Sequence, residues 1–387
     1  MMRDFRHIAP PRADWDRAPW NRWSFQHIRE ILPTTEVWRG YGPEQKLAYD
    51  LQDIERIIFE DDGKATDIGA FLNDSFTDGF MVLSKGKVIA ERYMNNMQAR
   101  SLHLSQSMAK SVTATAFGVL VGQGLIDPEA LISDYLPELA ETGWRGAKLQ
   151  HSLDMTSGVA YDEDYTAFDS DMAKTDVAAG WKNAATGHSW PENIWAQILT
   201  LTKQARPHGE RFEYRSIETD VLAFVMQAVT GKPLAQIVSE CIWQKIGAAE
   251  SACFTVDKAG YALADGGFNA TLADYARFGL LWARRGNLNG EQIIPKSWVD
   301  ATIQGDGKKF HAPYNDIFPH GAYRNQFWID DVRQAKLLCR GVFGQLIYID
   351  AENDFVAVKL SSWPEFLSPS RSRSALLAVQ AISYHFS

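Results

Sequence analysis

The chain is predicted to combine helices and strands in separate regions, which places it in the α/β class, in its α+β form. Three observations predict this class. A β-hairpin is predicted at 79–93, helices and polar loops fill the middle of the chain, and short β-type runs return from 325 to 360. A helix predicted at 374–386 ends the sequence. Runs of strands that are separate from runs of helices are typical of this class.

The composition is that of a globular protein with a large core. Of the 387 residues, 45% are hydrophobic and 22% are charged. The net charge of −9 provides no basic surface, so neither nucleic acids nor anionic membranes are expected as partners. Cys241, Cys253 and Cys339 lack paired or metal-type spacing and are predicted to be reduced thiols. No run has the length of a membrane span and the first residues lack an apolar leader, so a cytoplasmic location is expected.

Residues 1–45 are predicted to form an irregular arm that packs on a main domain of residues 46–387. Prolines recur along this segment and prevent long helices. Five large aromatic side chains make it too apolar for a free tail, namely Trp15, Trp20, Trp23, Phe25 and Trp38. Packing is favoured over a substrate role for these tryptophans. Whether the protein forms a homodimer is left open.

Apolar residues between 46 and 60 have helical spacing and predict a helix. The hairpin at 79–93 follows, with its turn at Lys85-Gly86. Ser84 and Lys87 in this turn form a Ser-x-x-Lys pattern, which is interpreted as a solvated turn.

A second Ser-x-x-Lys pattern, Ser107 to Lys110, stands at the predicted start of a helix that ends near Gly122. Residues three apart share a helix face, so the hydroxyl and the amine come within hydrogen-bonding reach. A serine needs a neighbouring base to act as a nucleophile, and a lysine desolvated on an apolar helix can serve as one. The unpaired N–H groups at the helix start can stabilise a developing negative charge.

The middle of the chain alternates short helices with polar loops. A short helix is predicted to end at Gly158, and its His151 is interpreted as structural. The loop at 160–192 is long enough to predict a lid or binding loop. A helix is predicted at 218–230, and Tyr214 lies just ahead of it.

Six ordered segments resemble the serine β-lactamase-like hydrolases, which include class C β-lactamases, DD-peptidases and related esterases. They are Ser107–Lys110, Gly124–Asp127, Asp134–Pro137, Met155–Gly158, Gly209–Ser216 and Gly341–Gln345. The resemblance implies an antiparallel sheet flanked by helices, with an inserted all-helical region. The α/β region then covers about 46–105 and 260–387, and the helical region about 106–259.

The same resemblance implies roles at the active site. Ser107 is the nucleophile, and Lys110 and Tyr214 are its acid/base partners. Either a Lys110 ammonium stabilises a Tyr214 phenolate, or a neutral Lys110 accepts the proton. The N–H groups of Ser107 and Gln345 form the oxyanion hole next to the third motif, Val342-Phe343-Gly344. No metal or cofactor is implied.

The chain departs from the β-lactamases at two motifs. Ser216 stands where they have asparagine, and neither Val342 nor Phe343 supplies the cation that binds a substrate carboxylate. Efficient β-lactam turnover is therefore not expected.

The resemblance extends further to the 6-aminohexanoate-dimer hydrolases, amidases that share this fold. In that family a loop tyrosine contacts the scissile amide and an acidic residue binds the free ammonium of the substrate; Tyr165 and Asp176 match these positions. Asp265 stands where those enzymes have asparagine. Ser216 and Gly344 are placed with these three residues among those expected to line the substrate site.

The sequence therefore predicts a serine hydrolase that acts through an acyl-enzyme on a small linear amide or a carboxylic ester. Neither His-Glu-x-x-His nor Gly-x-Ser-x-Gly occurs, which argues against a zinc protease or a standard α/β-hydrolase. The alternatives are a carboxylesterase with another natural substrate, a weak β-lactamase, an acyltransferase, and a binding protein that has kept the cleft without the chemistry.

Overall fold

An eight-stranded sheet occupies the centre of the computed structural model, which describes residues 10–184, 187 and 189–387. Strands β1 to β16 are Thr34–Val37, Ala48–Tyr49, Ile58–Asp61, Lys64–Asp67, Thr77–Ser84, Lys87–Tyr93, His103–Leu104, Ala252–Thr255, Phe268–Ala270, Asn287–Leu288, Glu291–Gln292, Ala322–Arg324, Phe327–Ile329, Lys336–Gly341, Gln345–Asp350 and Phe355–Ser361. Helices α1 to α13 are Asn21–Ser24, Ile68–Asp74, Met108–Gly122, Ile132–Tyr135, Leu149–Leu153, Asp171–Ala178, Ile194–Thr200, Ile217–Thr230, Leu234–Val238, Leu272–Ala283, Lys296–Gln304, Tyr314–Ile317 and Pro369–Phe386.

The central sheet joins the two ends of the chain. Its strand order is β12-β13-β14-β15-β16-β5-β6-β2, so the last strand, β16, pairs antiparallel with β5 of the first hairpin. Alternate residues of β16 enter two different cores: Val356 and Val358 pack on the side of α10, and Phe355 and Ala357 on the side of α13. The predicted arrangement of an antiparallel sheet flanked by helices is thus confirmed.

A smaller sheet connects the N-terminal arm to the segment that precedes α3. Its strand order is β1-β8-β9-β7, and β7 leads directly into α3. In the arm, of which residues 1–9 lie outside the described part, Trp15 and Phe25 are buried, whereas Trp38 is exposed. The arm therefore contributes both a strand and core side chains.

The helix predicted between 46 and 60 is wrong. The segment runs instead along the edge of the sheet: β2 pairs with β6, and the N–H groups of Asp50 and Gln52 donate to Val88 and Ile89 at 2.9 and 2.8 Å. Only Ile54 of the apolar stripe is fully buried. Hydrogen bonding to the otherwise open edge of β6 stabilises this extended conformation more than the helical spacing of the apolar residues would stabilise a helix.

Two predictions in the middle of the chain also need correction. The short helix α5 ends at Leu153, not at Gly158, because Met155 adopts a φ of +50°. The segment predicted as a loop at 160–192 contains α6, whose N-cap Ser170 accepts a hydrogen bond from the Ala173 N–H at 3.0 Å. Residues 185, 186 and 188 of that segment lie outside the described part of the chain. By contrast, α8 ends before Gly231 as predicted.

Among the described residues, no single helix is long and apolar enough to span a membrane. Only the pair Ile217–Thr230 and Leu234–Trp243, bent by 82°, reaches the necessary length and apolarity together.

Lys359 is a fully buried lysine in the middle of β16. Its ammonium donates to the Ser75 carbonyl at 3.2 Å and to the Ser361 hydroxyl. Burial lowers its pKa to about 7, although the charge of Asp78 opposes this. Between pH 7 and the ordinary lysine value near 10.4, the unfolded chain thus binds more protons at this position than the folded chain does.

Replacing Lys359 by methionine is expected to change the pH dependence of stability. The wild-type free energy of unfolding gains up to about 5 kcal/mol from this group as the pH rises from 7 to 10.5, and the variant lacks that gain. Denaturant unfolding of both proteins across this range measures the difference, with Lys64→Met, at an exposed lysine, as the control. Parallel stability curves for wild type and Lys359→Met would contradict the lowered pKa.

Candidate active site

Ser107 lies at a sharp turn between β7 and α3. Gln106 just before it adopts a φ of +50°, a left-handed conformation that costs a non-glycine residue about 1 kcal/mol or more. Helix α3 begins at Met108, and its residues up to Leu120 are buried. The turn therefore presents Ser107, at the N-cap position, on a helix that the core holds in place.

Lys110 lies one turn further along α3 and is almost fully buried. Its Nζ donates to Ser107 Oγ at 3.0 Å and to the Asp265 carbonyl at 2.7 Å, and it lies 3.7 Å from the Asp265 carboxylate. Burial lowers the pKa of this amine, but Tyr214, Asp265 and Glu163 together outweigh burial and raise it above its ordinary value. Lys110 is therefore an ammonium at neutral pH, which favours the first of the two protonation alternatives for this residue.

Tyr214 faces the same point from the segment that leads into α8. Its ring stacks on Trp328 with centroids 5.6 Å apart, and Lys110 Nζ lies 5.3 Å from the ring centroid. Burial raises the pKa of the phenol, whereas Lys110 and the hydrogen bond of Ser107 lower it, and the net direction is upward. Tyr214 is thus protonated at rest, beside Ser107 and the Lys110 ammonium.

Glu163 joins this cluster and was missed from the sequence, where it stands unmarked among other acidic loop residues. Its carboxylate accepts hydrogen bonds from the Tyr165 hydroxyl at 2.8 Å and from the Ser216 N–H and hydroxyl at 2.8 and 2.5 Å. Burial raises its pKa, against the effect of Lys110. Glu163 thus links the 160–170 segment to the start of α8 through its hydrogen bonds with Ser216.

A buried pair of carboxyl groups lies behind Lys110. Asp220 Oδ1 accepts the Ala264 N–H at 2.9 Å, and Oδ2 has no partner among the described residues. Burial, followed by the negative charge of Asp265, raises the pKa of Asp220 well above its ordinary range. Asp220 is therefore neutral, and the side chain of Asp265 lies 3.7 Å from Lys110 Nζ. Asp265, which was predicted to bind substrate, contacts Lys110 and also lines the small pocket beside Ser107.

The residues around the third motif divide between two cavities. Gly341 and Val342 line the cavity of about 530 Å³ that contains Ser107. A Cβ at Gly341 would lie 2.5 Å from the Ser105 carbonyl, so only glycine allows β14 to approach the nucleophile turn this closely.

Gln345 and Gly344 line a neighbouring cavity and not the one that holds Ser107. The Gln345 side chain instead bonds the backbone of Ser361, donating at 2.6 Å and accepting at 3.1 Å. Gly344 lies against the Trp363 ring. Neither residue is thus among those that line the cavity with Ser107, whereas Val342, which sequence reasoning did not select, lines it.

A small acidic pocket opens beside the nucleophile. Ser107, Tyr165, Asp176 and Val342 are among its lining residues. The Asp176 side chain accepts no hydrogen bond from the described residues. Burial is the largest cause that raises its pKa to about 8; the negative charges of Asp16, Asp265 and Glu163 add to it, and Lys182 opposes it. An unpaired carboxyl group in a small, partly enclosed pocket is suited to a cationic ligand.

The N-terminal arm holds the end of the helix that carries Asp176. Arg12 donates to the Gly180 carbonyl, and Trp15 Nε1 donates to the Trp181 carbonyl at 2.9 Å, with the two tryptophan rings 5.2 Å apart. Asp16 forms an ion pair with Lys182. The arm therefore fixes the acidic pocket from outside.

Among the residues that the structure describes, no cluster of His, Cys, Asp or Glu is arranged to hold a metal ion.

An antiparallel sheet, an inserted helical region and a serine beside a buried lysine and a tyrosine define a hydrolase of the serine β-lactamase fold. The profile of the Beta-lactamase family matches residues 74–381. The chain belongs to this family.

Particular relatives narrow the comparison. The 6-aminohexanoate-dimer hydrolase of Paenarthrobacter ureafaciens is 33% identical over 361 residues, which cover 92% of this chain and 89% of that protein. A Bacillus anthracis structure, assigned provisionally as a 6-aminohexanoate-dimer hydrolase, superposes with a TM-score of 0.88 at 29% identity and covers 97% of this chain and 96% of its own. EstCE1, a hydrolase with promiscuous acyltransferase activity, shares the fold at 16% identity with a TM-score of 0.63, over 81% of this chain and 95% of its own. The predicted resemblance is confirmed.

Proposed function

We propose that this protein is a serine hydrolase that cleaves small linear amides of the 6-aminohexanoate-dimer type, together with carboxylic esters, through an acyl-enzyme. The observation that carries the proposal is the arrangement around Ser107. The nucleophile contacts Lys110 at 3.0 Å, Tyr214 lies beside both, and the small pocket that Ser107 lines is also lined by Asp176. The relatives named 6-aminohexanoate-dimer hydrolase support the choice of substrate.

In the proposed first step, the reactive form of the protein has a Tyr214 phenolate beside the Lys110 ammonium, a form that becomes populated as the pH rises. Ser107 Oγ attacks the carbonyl carbon, and its proton passes to the Tyr214 phenolate. Tyr214 then gives this proton to the nitrogen as the C–N bond breaks, so the amine leaves neutral, an ester remains on Ser107 and the phenolate is restored. Water then attacks this ester and releases the acid. Because Lys110 stays positive, it stabilises the Tyr214 phenolate before the attack and again after the proton has moved to the nitrogen.

We assign the oxyanion hole to the N–H groups of Ser107 and Val342. Both residues line both pockets that meet at the nucleophile, whereas Gln345 lines neither of them. Ser107 also stands at the N-terminus of α3, where the helix dipole favours negative charge.

The test is release of 6-aminohexanoate from its linear dimer, followed by chromatography, with a p-nitrophenyl ester assayed in parallel. Turnover of both substrates supports the proposal. Ester turnover alone would make this a carboxylesterase with a different natural substrate. Turnover of neither, in a folded protein, would favour a binding protein on this scaffold. Added alcohol that appears in the product would identify acyl transfer.

Asp176 is expected to make amide cleavage pH-dependent. With a pKa of about 8 the free carboxyl group is mostly neutral at pH 6, and it must lose a proton before it can bind an ammonium. We therefore expect kcat/KM for the dimer to rise up to tenfold per pH unit between pH 6 and 8.

Comparison with a substrate that lacks the ammonium isolates this effect from the titration of the catalytic groups. The measurement is the ratio of kcat/KM for the linear dimer to that for N-hexanoyl-6-aminohexanoate. Asp176→Asn should lower this ratio about tenfold to a hundredfold at pH 8 and remove its pH dependence. A ratio that is independent of pH in the wild type would refute this role of Asp176.

A further inference from the structure

Arg340, at the end of β14, brings a positive charge into the cavity of the nucleophile. Its guanidinium lies over the rings of Phe318 and Trp328, at 5.1 and 5.2 Å from their centroids. Burial lowers its pKa to about 10, with Tyr214 and Asp330 acting in the opposite direction, so it is charged at neutral pH. Sequence reasoning looked for such a cation at Val342 and Phe343 and missed it two residues earlier.

This guanidinium forms no hydrogen bond and no ion pair with the described residues. Asp330, which acts on it through space, instead accepts a hydrogen bond from Gln380 at 2.7 Å. Other arginines near the cleft are paired: Arg215 with Glu213, and Arg373 with Asp61 and Asp62. A half-buried cation whose five N–H donors lack an anionic partner is suited to a planar anion such as a carboxylate.

The position of Arg340 relative to the nucleophile shows which part of a substrate would reach it. Arg340 and Ser107 line the same cavity of about 530 Å³, and Arg340 also lines the adjoining cavity of about 490 Å³. Asp176 lines a separate small pocket that also reaches Ser107 and forms the other branch of the cleft. The carboxyl group of Asp176 and the cation of Arg340 thus lie in different branches of the cleft, and the Ser107 hydroxyl lies where the branches meet.

We propose that Arg340 binds a carboxylate at the end of the amine half of the substrate. This inference rests on the proposed amidase function and deepens it. An acyl half that carries an ammonium enters the pocket of Asp176, and the leaving amine extends along the larger cavity to Arg340. The preferred substrates are therefore linear amides whose amine half is an ω-amino acid, and the two opposite charges fix the direction in which the amide lies across Ser107.

The test compares two amides with the same acyl half, 6-aminohexanoyl-6-aminohexanoate and 6-aminohexanoyl-pentylamide. The wild type is expected to prefer the carboxylate-bearing amide about tenfold to a hundredfold in kcat/KM. Arg340→Gln should bring this ratio close to one, and Arg340→Lys should give an intermediate value because it keeps the charge without the planar fork. Arg333→Gln, at an exposed arginine paired with Asp331, is the matched control and should keep the wild-type ratio. An unchanged ratio in Arg340→Gln overturns the inference while the amidase function stands.

A binding measurement separates failure of this inference from failure of the proposed function. Ser107→Ala is titrated by calorimetry with 6-acetamidohexanoate and with N-pentylacetamide, which lacks the carboxylate. The carboxylate should bind at least tenfold more tightly, and the added Arg340→Gln substitution should abolish the difference. Arg340-dependent binding without dimer cleavage by the wild type would refute the amidase proposal and keep the carboxylate subsite. Equal binding with and without Arg340 would refute the subsite.

Discussion

Replacing Ser107 by alanine is expected to lower kcat/KM for amide and ester substrates by roughly 10⁴-fold or more. Loss of a nucleophile removes the covalent route altogether, and only the contributions of binding and of the oxyanion hole remain. The folded structure should be kept because Ser107 is only half-buried and its side chain does not cap α3. Initial rates with the linear dimer and a p-nitrophenyl ester measure the effect.

The chain offers a matched control for this substitution. Ser84 and Lys87 reproduce the Ser-x-x-Lys spacing in the turn between β5 and β6, away from the cleft. Ser84→Ala should keep wild-type rates, and a fluorophosphonate probe should add its mass at Ser107 alone. Substantial activity in Ser107→Ala, or labelling at another serine, would refute the nucleophile assignment.

Replacing Tyr214 by phenylalanine is expected to lower kcat by about 10²- to 10⁴-fold, the range typical of a removed acid/base group. The ring would still stack on Trp328, so KM should change little. In the wild type both Lys110 and Tyr214 have a raised pKa, so the basic form of the pair becomes populated only as the pH rises above neutrality. The rate of ester cleavage should therefore increase with pH in the wild type, and this dependence should disappear in Tyr214→Phe.

Tyr348→Phe provides the control, since this tyrosine is fully buried in β15 and lines neither pocket that contains Ser107. Steady-state kinetics from pH 6 to 10 distinguish the two variants. Wild-type kcat in Tyr214→Phe would show that Lys110 alone transfers the proton.

Features that depend on neighbours in the sequence could be predicted from the sequence. The hairpin at 79–93, the contact of Ser107 with Lys110 and the glycine after α8 each follow from the chemistry of a short stretch. Within 46–60 the same reasoning failed, because the open edge of β6, more than 20 residues away, decides the conformation.

The remainder of the candidate site depends on contacts between distant segments. Arg340 differs from the other arginines in the two aromatic rings that pack against it, one from β13 and one from the residue after α12. Glu163 differs from the other acidic loop residues in its hydrogen bonds with Ser216 at the start of α8. Whether Val342 or Gln345 faces the nucleophile is decided by the backbone after β14, where Phe343 adopts a φ of +60° and Gly344 a φ of +89°. No local sequence pattern contains that information.

The contacts of the N-terminal arm with the end of α6 mean that Asp176 is held in place by different parts of the protein from those that hold Ser107 and Lys110. Ser107 and Lys110 belong to a helix enclosed by the core, whereas the carboxyl group of Asp176 depends on Arg12, Trp15 and their contacts at Gly180 and Trp181. Changes in the arm can therefore reshape the acidic pocket while Ser107 and Lys110 stay in place. Such an arrangement gives a lineage a route to new substrates through mutations remote from Ser107, at little risk to the proposed reaction.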